Sequence, residues 1–213
     1  MKFWSNSFTD GGFIPGEFAL CVVDPVTHVT LSANRNPHLA WSDVPAGARS
    51  LALVCHDSDA PSRRDDVNQE GKTVPPDLPR APFFHWVLID LPADMRVIEA
   101  GAWSDGVTSH GKPGPEITSL AQGKARHGIN DYTNWFADVP EMAGDYYGYD
   151  GPCPPWNDSV IHRYTFTVYA LDIERLPVDG RFNGTRAWDA LSGHVLDKAE
   201  IVGIYTLNPA LSR

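Results

Sequence analysis

The chain has 213 residues and a net charge of −10, with 42% hydrophobic residues, only 21% charged residues, and 18 Gly beside 18 Pro. This length suits one domain, 1–213, with a full apolar core, and so many turn-formers exclude a helical bundle or coiled coil in favour of a strand-based fold. The acidic balance excludes nucleic acid and anionic membrane surfaces as broad contact partners, yet leaves room for one locally positive pocket.

The first residues carry no apolar run of the signal-peptide kind. No segment reaches the roughly 18–20 apolar residues that span a bilayer, so no integral membrane segment is expected. In chain order, short apolar or alternating runs predict strands over 18–23, 29–33, 51–56, 83–91, 164–171 and 201–207. The fifth is the cleanest. Tyr164, Phe166, Val168 and Ala170 fall on one face, and Thr165, Thr167, Tyr169 and Leu171 on the other, which suits a central strand covered on both sides. Helical signal is confined to 186–196, with Trp188, Leu191 and Val195 in phase and Thr185 as the expected cap, and a weaker stretch at 117–124. Strands thus dominate, and the pattern predicts a mainly β protein: a two-sheet β-sandwich, or barrel, with a few short peripheral helices.

Two connections are too long for tight turns. The 62–82 segment is polar and proline-rich, whereas 123–158 is rich in aromatics and is expected to pack on the body or on a partner chain. Cys21, Cys55 and Cys153 are odd in number and far apart, without a Cys-x-x-Cys pair, and read as free thiols of a cytoplasmic protein. Asn157-Asp158-Ser159 and Asn183-Gly184-Thr185 match the glycosylation triplet but carry no weight without a secretion signal.

The widespread catalytic signatures, namely the nucleophile elbow, the phosphate-binding loops and the His-Glu-x-x-His helix, are absent. What remains is a set of acids and imidazoles at strand ends. Asp57-Ser58-Asp59-Ala60-Pro61 follows the third strand, His85 lies early in the fourth, and Gly151-Pro152-Cys153-Pro154-Pro155 precedes His162-Arg163-Tyr164 at the fifth. From spacing alone these are either separate turn and surface features or the parts of one shared pocket.

The order of several short motifs adds to that choice. They comprise Phe8-x-x-x-x-Phe13-Ile14-Pro15, then Asn36-Pro37-x-Leu39-x-Trp41-x-x-Val44-Pro45-x-Gly47 and Ser50-Leu51-Ala52-Leu53. Asp57-x-Asp59-Ala60-Pro61 and His85-Trp86-Val87 come next, before Gly128-x-Asn130-Asp131-Tyr132, Gly151 to Pro155 and His162-Arg163-Tyr164. In this sequence of motifs the chain resembles the phosphatidylethanolamine-binding protein family, in its bacterial and archaeal, Raf-kinase-inhibitor-like branch. The resemblance implies two stacked sheets and a small pocket for anions such as phosphate, acetate or a phospholipid head group. It assigns Asp57 and Asp59 to the acidic pair, His85 and His162 to the pocket histidines, Tyr164 to the His-Arg-Tyr element and Pro154-Pro155 to the pocket wall. Pro61 and Gly151 complete the expected ligand-binding set at the rim. No cofactor or metal is implied, although two His and two Asp could in principle ligate a divalent ion.

Chemically, imidazolium and phenol groups donate hydrogen bonds whereas carboxylates only accept. Asp57 would therefore repel an anion unless it charges a histidine, and affinity is expected to rise as pH falls. Arg163 reads as a structural ion-pair partner ahead of a pocket contact. Ser58 replaces the usual proline between the acids, and Trp156 is expected either to close the mouth or to pack on the Trp135-Phe136 loop. The leading functional expectation is a small-ligand or anion-binding protein with a regulatory or inhibitory role through a protein partner, and with homodimerisation to cover exposed aromatics. The alternatives are an enzyme using the His/Asp pocket for acid/base chemistry, hydrolysis or dehydration of a small metabolite, and an interaction module acting through the 123–158 loop.

Overall fold

The computed structural model describes residues 1–117 and 125–212. Beyond Ile117, the weaker helical stretch predicted at 117–124 lies outside the described residues. Three sheets are built from β1 (Lys2–Trp4), β2 (Cys21–Asp24), β3 (His28–Leu31), β4 (Leu39–Ser42), β5 (Ser50–Pro61), β6 (Arg80–Pro92), β7 (Val97–Ile98), β8 (Arg126–His127), β9 (His162–Leu171) and β10 (Val195–Tyr205). The large antiparallel sheet has the order β10-β9-β5-β6-β8, a second sheet the order β1-β4-β7, and β2-β3 form a hairpin.

Strand alternation explains how the large sheet is covered. On one face Leu51, Leu53, Trp86, Leu88, Tyr164, Phe166 and Val168 join Leu39, Trp41 and Ile98 of the second sheet in one buried core. On the other face Ala52, Val54, Val87, Ile89 and Leu171 pack against Leu176, Val178, Phe182 and the helix α2 (Gly184–Leu191). The β9 expectation of two covered faces holds because a core lies on each side. The fold is thus a mainly β sandwich with, among the described residues, two small α-helices, α2 and the single turn α1 (Tyr132–Trp135).

Several local expectations need correction. The helix predicted over 186–196 ends at Leu191, because Gly193 adopts a positive φ of 84° and the chain then enters β10 at Val195. Its cap is Asn183, whose side chain accepts from Arg186 N at 3.1 Å, and not Thr185. The predicted strand at 18–23 begins instead with a 3-10 turn, Gly16–Phe18, before β2. The free-thiol expectation fails for two of three cysteines: Cys21 and Cys153 form a disulfide across a separation of 132 residues, and Cys55 alone is a free, buried thiol. Local Cys spacing cannot register a pair brought together by tertiary structure, and the thiol argument for a reducing compartment falls with it. No helix among the described residues is long and apolar enough to cross a membrane.

Both long connections pack on the body. Tyr132, Tyr146, Tyr147 and Tyr149 are buried, so the aromatics of 123–158 belong largely to the core. The 62–79 loop is tied down by the side chain of Asn157, which accepts from Asn68 N at 2.9 Å and donates to Asp66 O and Lys72 O at 2.8 and 3.1 Å. That buried role also accounts for the first glycosylation triplet. Trp156 is not among the residues that line the cavity; it stacks on His28 at 3.9 Å and 11°.

Candidate functional site

A cavity of about 340 Å³ opens at the end of the large sheet where β5, β6 and β9 leave the core. Parity places its floor. Asp57 pairs with Tyr164 across β5 and β9, and His162 lies two residues from Tyr164 on the same side of β9. His85 reaches this face through a bulge. Cys55 pairs with Trp86 and His56 with Phe84, so His85 has no partner on β5 and turns towards the cavity beside Trp86.

Of the nine residues expected in the site, Asp57, Pro61, His85, Pro154, Pro155, His162 and Tyr164 line this cavity. Asp59 does not. The pairing register shifts between Asp57 and Ala60, which rotates Asp59 away. Its carboxylate accepts instead from Arg163 Nε and NH2 at 2.8 Å each, and from Arg163 N at 3.0 Å. Burial raises the Asp59 pKa, but the arginine contacts outweigh it and hold the carboxyl low. Arg163 is therefore a structural ion-pair partner, the reading placed ahead of a pocket contact in the sequence. Gly151 is likewise behind the wall: it donates from N to Asn34 Oδ1 at 2.9 Å and accepts from Tyr132 Oη at 2.8 Å. A Cβ at Gly151 would lie 2.2 Å from the Phe18 carbonyl oxygen. Gly151→Ala is accordingly expected to destabilise the fold by about 1–3 kcal/mol through overpacking, measured by denaturant unfolding.

The two histidines play different parts. His162 Nδ1 donates to Asp57 Oδ2 at 2.6 Å and Nε2 donates to Asp158 Oδ2 at 3.1 Å, so both ring nitrogens are engaged by carboxylates. Burial would push its pKa down, but the Asp57 charge and the bonds to Asp158 and Asp57 prevail and raise it to about 9. Asp158 also takes a bidentate contact from Arg80, at 2.6 and 3.0 Å. Burial raises the Asp158 carboxyl, and the bonds from His162 and Arg80 overcome this and lower it. Asp57, His162, Asp158 and Arg80 form an alternating row of two negative and two positive charges that neutralises itself. The expectation that His162 offers its charge and protons to a ligand is thus corrected: both protons are spent within the protein.

His85 differs. Its Nδ1 donates to the Asp150 carbonyl at 2.8 Å, which fixes the tautomer and leaves Nε2 without a partner among the described residues. Burial lowers its pKa against the opposing pull of Asp57 and Asp150, so the ring is neutral at pH 7. Above it, the Tyr164 hydroxyl is buried and finds no hydrogen-bond partner among the described residues. Burial also pushes this phenol well up, so it remains a donor.

The rest of the lining escaped sequence reasoning. Asp131 accepts from Phe84 N at 2.7 Å, and burial raises its carboxyl despite that bond. Phe83, Tyr132 and Trp135 supply an aromatic side, and Arg63 and Arg64 stand at the mouth. Arg64 lies 4.1 Å over the Trp135 ring and donates to the carbonyls of Asn134 and Trp135. Asp131 and Tyr132 sat within the quoted Asn-Asp-Tyr motif, a signal that was available. Asp158 left no comparable signal, because a four-residue spacing predicts side-chain contact only on a helix and 158–162 is a bend leading into β9. Among the described residues, no group of three or more His, Cys, Asp or Glu side chains is arranged to hold a metal ion.

A sandwich whose large sheet frames a preformed, partly polar cavity defines a small-ligand-binding fold. The family model described as phosphatidylethanolamine-binding protein matches residues 4–206, and the chain belongs to that family. It is 32% identical over 212 residues to the UPF0098 protein YbhB of Escherichia coli K12, covering 97% of this chain and 100% of that one. A UPF0098 protein of Methanothermobacter thermautotrophicus is 29% identical, with 96% and 98% coverage. The crystal structure of E. coli YbcL, described as a new member of the mammalian PEBP family, superposes with a TM-score of 0.66 at 27% identity, covering 96% and 97% of the two chains.

Proposed function

We propose that residues 1–213 form one ligand-binding domain whose cavity takes a small anion, a phosphoryl or carboxylate group free or as part of a lipid head group. The observation that carries this reading is the pair of groups left open by the protein's own bonding: the buried Tyr164 hydroxyl and His85 Nε2, both at the cavity. A buried hydroxyl without a partner costs free energy that a ligand acceptor recovers. Arg63 and Arg64 add positive charge at the mouth, where His162 adds none to the floor.

In this arrangement His85 controls pH dependence. Neutral His85 presents a lone pair at Nε2 and repels an unprotonated anion, so binding takes up one proton on that nitrogen. Sulfate isolates the effect because its own charge is constant over the range. Calorimetry is expected to give sulfate affinity at least about tenfold tighter near pH 5.5 than near pH 8, and His85→Gln is expected to flatten the profile. Equal or tighter binding near pH 8 overturns the assignment. The acid/base alternative draws less support, since it needs two free titrating groups and His162 is bound on both nitrogens. A regulatory role through a partner protein rests on resemblance alone.

A further inference from the structure

The cavity wall at 151–155 is tied at its ends, with Gly151 N bonded to Asn34 and Gly151 O to Tyr132, and has few main-chain ties between them. Three of its five residues are prolines and have no N–H to donate. Pro152 O accepts from Leu20 N and Cys21 N at 2.9 and 3.2 Å, and Pro155 O accepts from Asp158 N at 3.1 Å. Between these points the wall is joined to the body through the Cys153–Cys21 disulfide. The two cysteines differ in exposure. Cys21, the first residue of β2, is buried at 6% exposure, whereas Cys153 is half-buried and lines the cavity. The Cys21 end of the bond lies in the core, and the Cys153 end borders the cavity.

We propose that this disulfide is a redox latch on the cavity, opened by a small dithiol reductant at Cys153 and protected by an occupant. A thiolate of the reductant attacks Cys153 Sγ, forms a mixed disulfide there and expels Cys21 as a thiolate, which takes up a proton. The reductant's second thiol, deprotonated, then attacks its own sulfur in the mixed disulfide. The reductant leaves as a disulfide and Cys153 is released as a thiol. Two electrons and two protons pass from the dithiol to the Cys21–Cys153 pair. Cys55 stays outside the exchange because it is sealed in the core. Opening the bond frees the Pro154-Pro155 wall, so the reduced protein binds its anion more weakly, and by reciprocity the bound anion resists reduction.

The protection arm rests on the anion reading; the order of attack does not. A brief reaction with the monothiol glutathione, quenched by acid and mapped by peptide mass, is expected to place the first adduct on Cys153. Dithiothreitol reduction is expected to slow about tenfold under saturating sulfate, relative to sodium chloride of equal ionic strength. Sulfate affinity is expected to fall about tenfold in Cys21→Ser/Cys153→Ser, or in reduced wild type if that variant does not fold. A first adduct on Cys21 overturns the latch. So does an unchanged reduction rate in protein whose melting temperature sulfate raises, or an unchanged sulfate affinity after reduction. If sulfate raises the melting temperature of neither form, the anion reading fails while the adduct order still decides which sulfur is open.

Discussion

His162→Gln is expected to lower stability near pH 7 by about 2–3 kcal/mol, and this deficit is expected to vanish near pH 10. The sign follows from the direction of the shift. The folded-state pKa of His162 is raised to about 9 by Asp57 and Asp158, above the roughly 6.5 of an unfolded histidine. Its contribution is therefore complete below about pH 6.5 and is lost as pH rises through about 9. Glutamine keeps a hydrogen-bonding side chain but no charge, so Asp57 is left buried without its cation, and Asp158 keeps Arg80. At the acid end the Asp158 carboxyl, held low in the folded state, supplies the opposite limb: its contribution is lost as pH falls below the usual carboxylate range. Denaturant unfolding of wild type and variant at pH 7 and pH 10 checks the expectation, and a deficit that stays constant between them would show that the imidazolium is not what holds the row together.

The same row marks where sequence reasoning succeeded and where it stopped. His162, Tyr164 and Phe166 share a face by simple alternation, but alternation alone does not say that this face floors a cavity; the family resemblance supplied that assignment. The family resemblance paired Asp57 with Asp59 as two pocket acids, and a register shift between Asp57 and Ala60 separates them. The bulge at His85 acts in the other direction: counted back from Val87 and Trp86, strict alternation sends His85 to the α2 side, and the bulge turns it to the cavity and puts Phe84 on the α2 side instead. Bulges depend on pairing with a neighbouring strand, and one strand read alone contains no record of them. The short strands β1, β4, β7 and β8 were missed for a related reason: each is two to four residues long and is defined by a distant partner, as Phe3 is by Trp41. The Cys21–Cys153 bond and the Arg80–Asp158 pair join segments far apart in the chain, and only the fold brings them within reach.

Tyr164→Phe is expected to leave the unliganded protein as stable as wild type or about 1 kcal/mol more stable, while weakening phosphate binding about tenfold. Few buried substitutions carry opposite signs for folding and binding, and this one does because the hydroxyl is buried yet bonds to nothing among the described residues. Removing it discards a desolvated polar group that has no protein partner among the described residues and that the proposed anion would bond. Tyr132→Phe provides the contrast within the same cavity. The Tyr132 hydroxyl is satisfied by the Gly151 carbonyl at 2.8 Å, so its loss leaves that buried acceptor unpaired and is expected to cost about 1–2 kcal/mol of stability. The phosphate affinity of Tyr132→Phe is expected to change little, since its hydroxyl proton already faces Gly151. Unfolding curves without ligand, and calorimetric titration with phosphate, separate the two variants. If Tyr164→Phe lost stability and kept its affinity, the hydroxyl would be a structural group, and the anion site would have to be rebuilt around His85 and the arginines at the mouth.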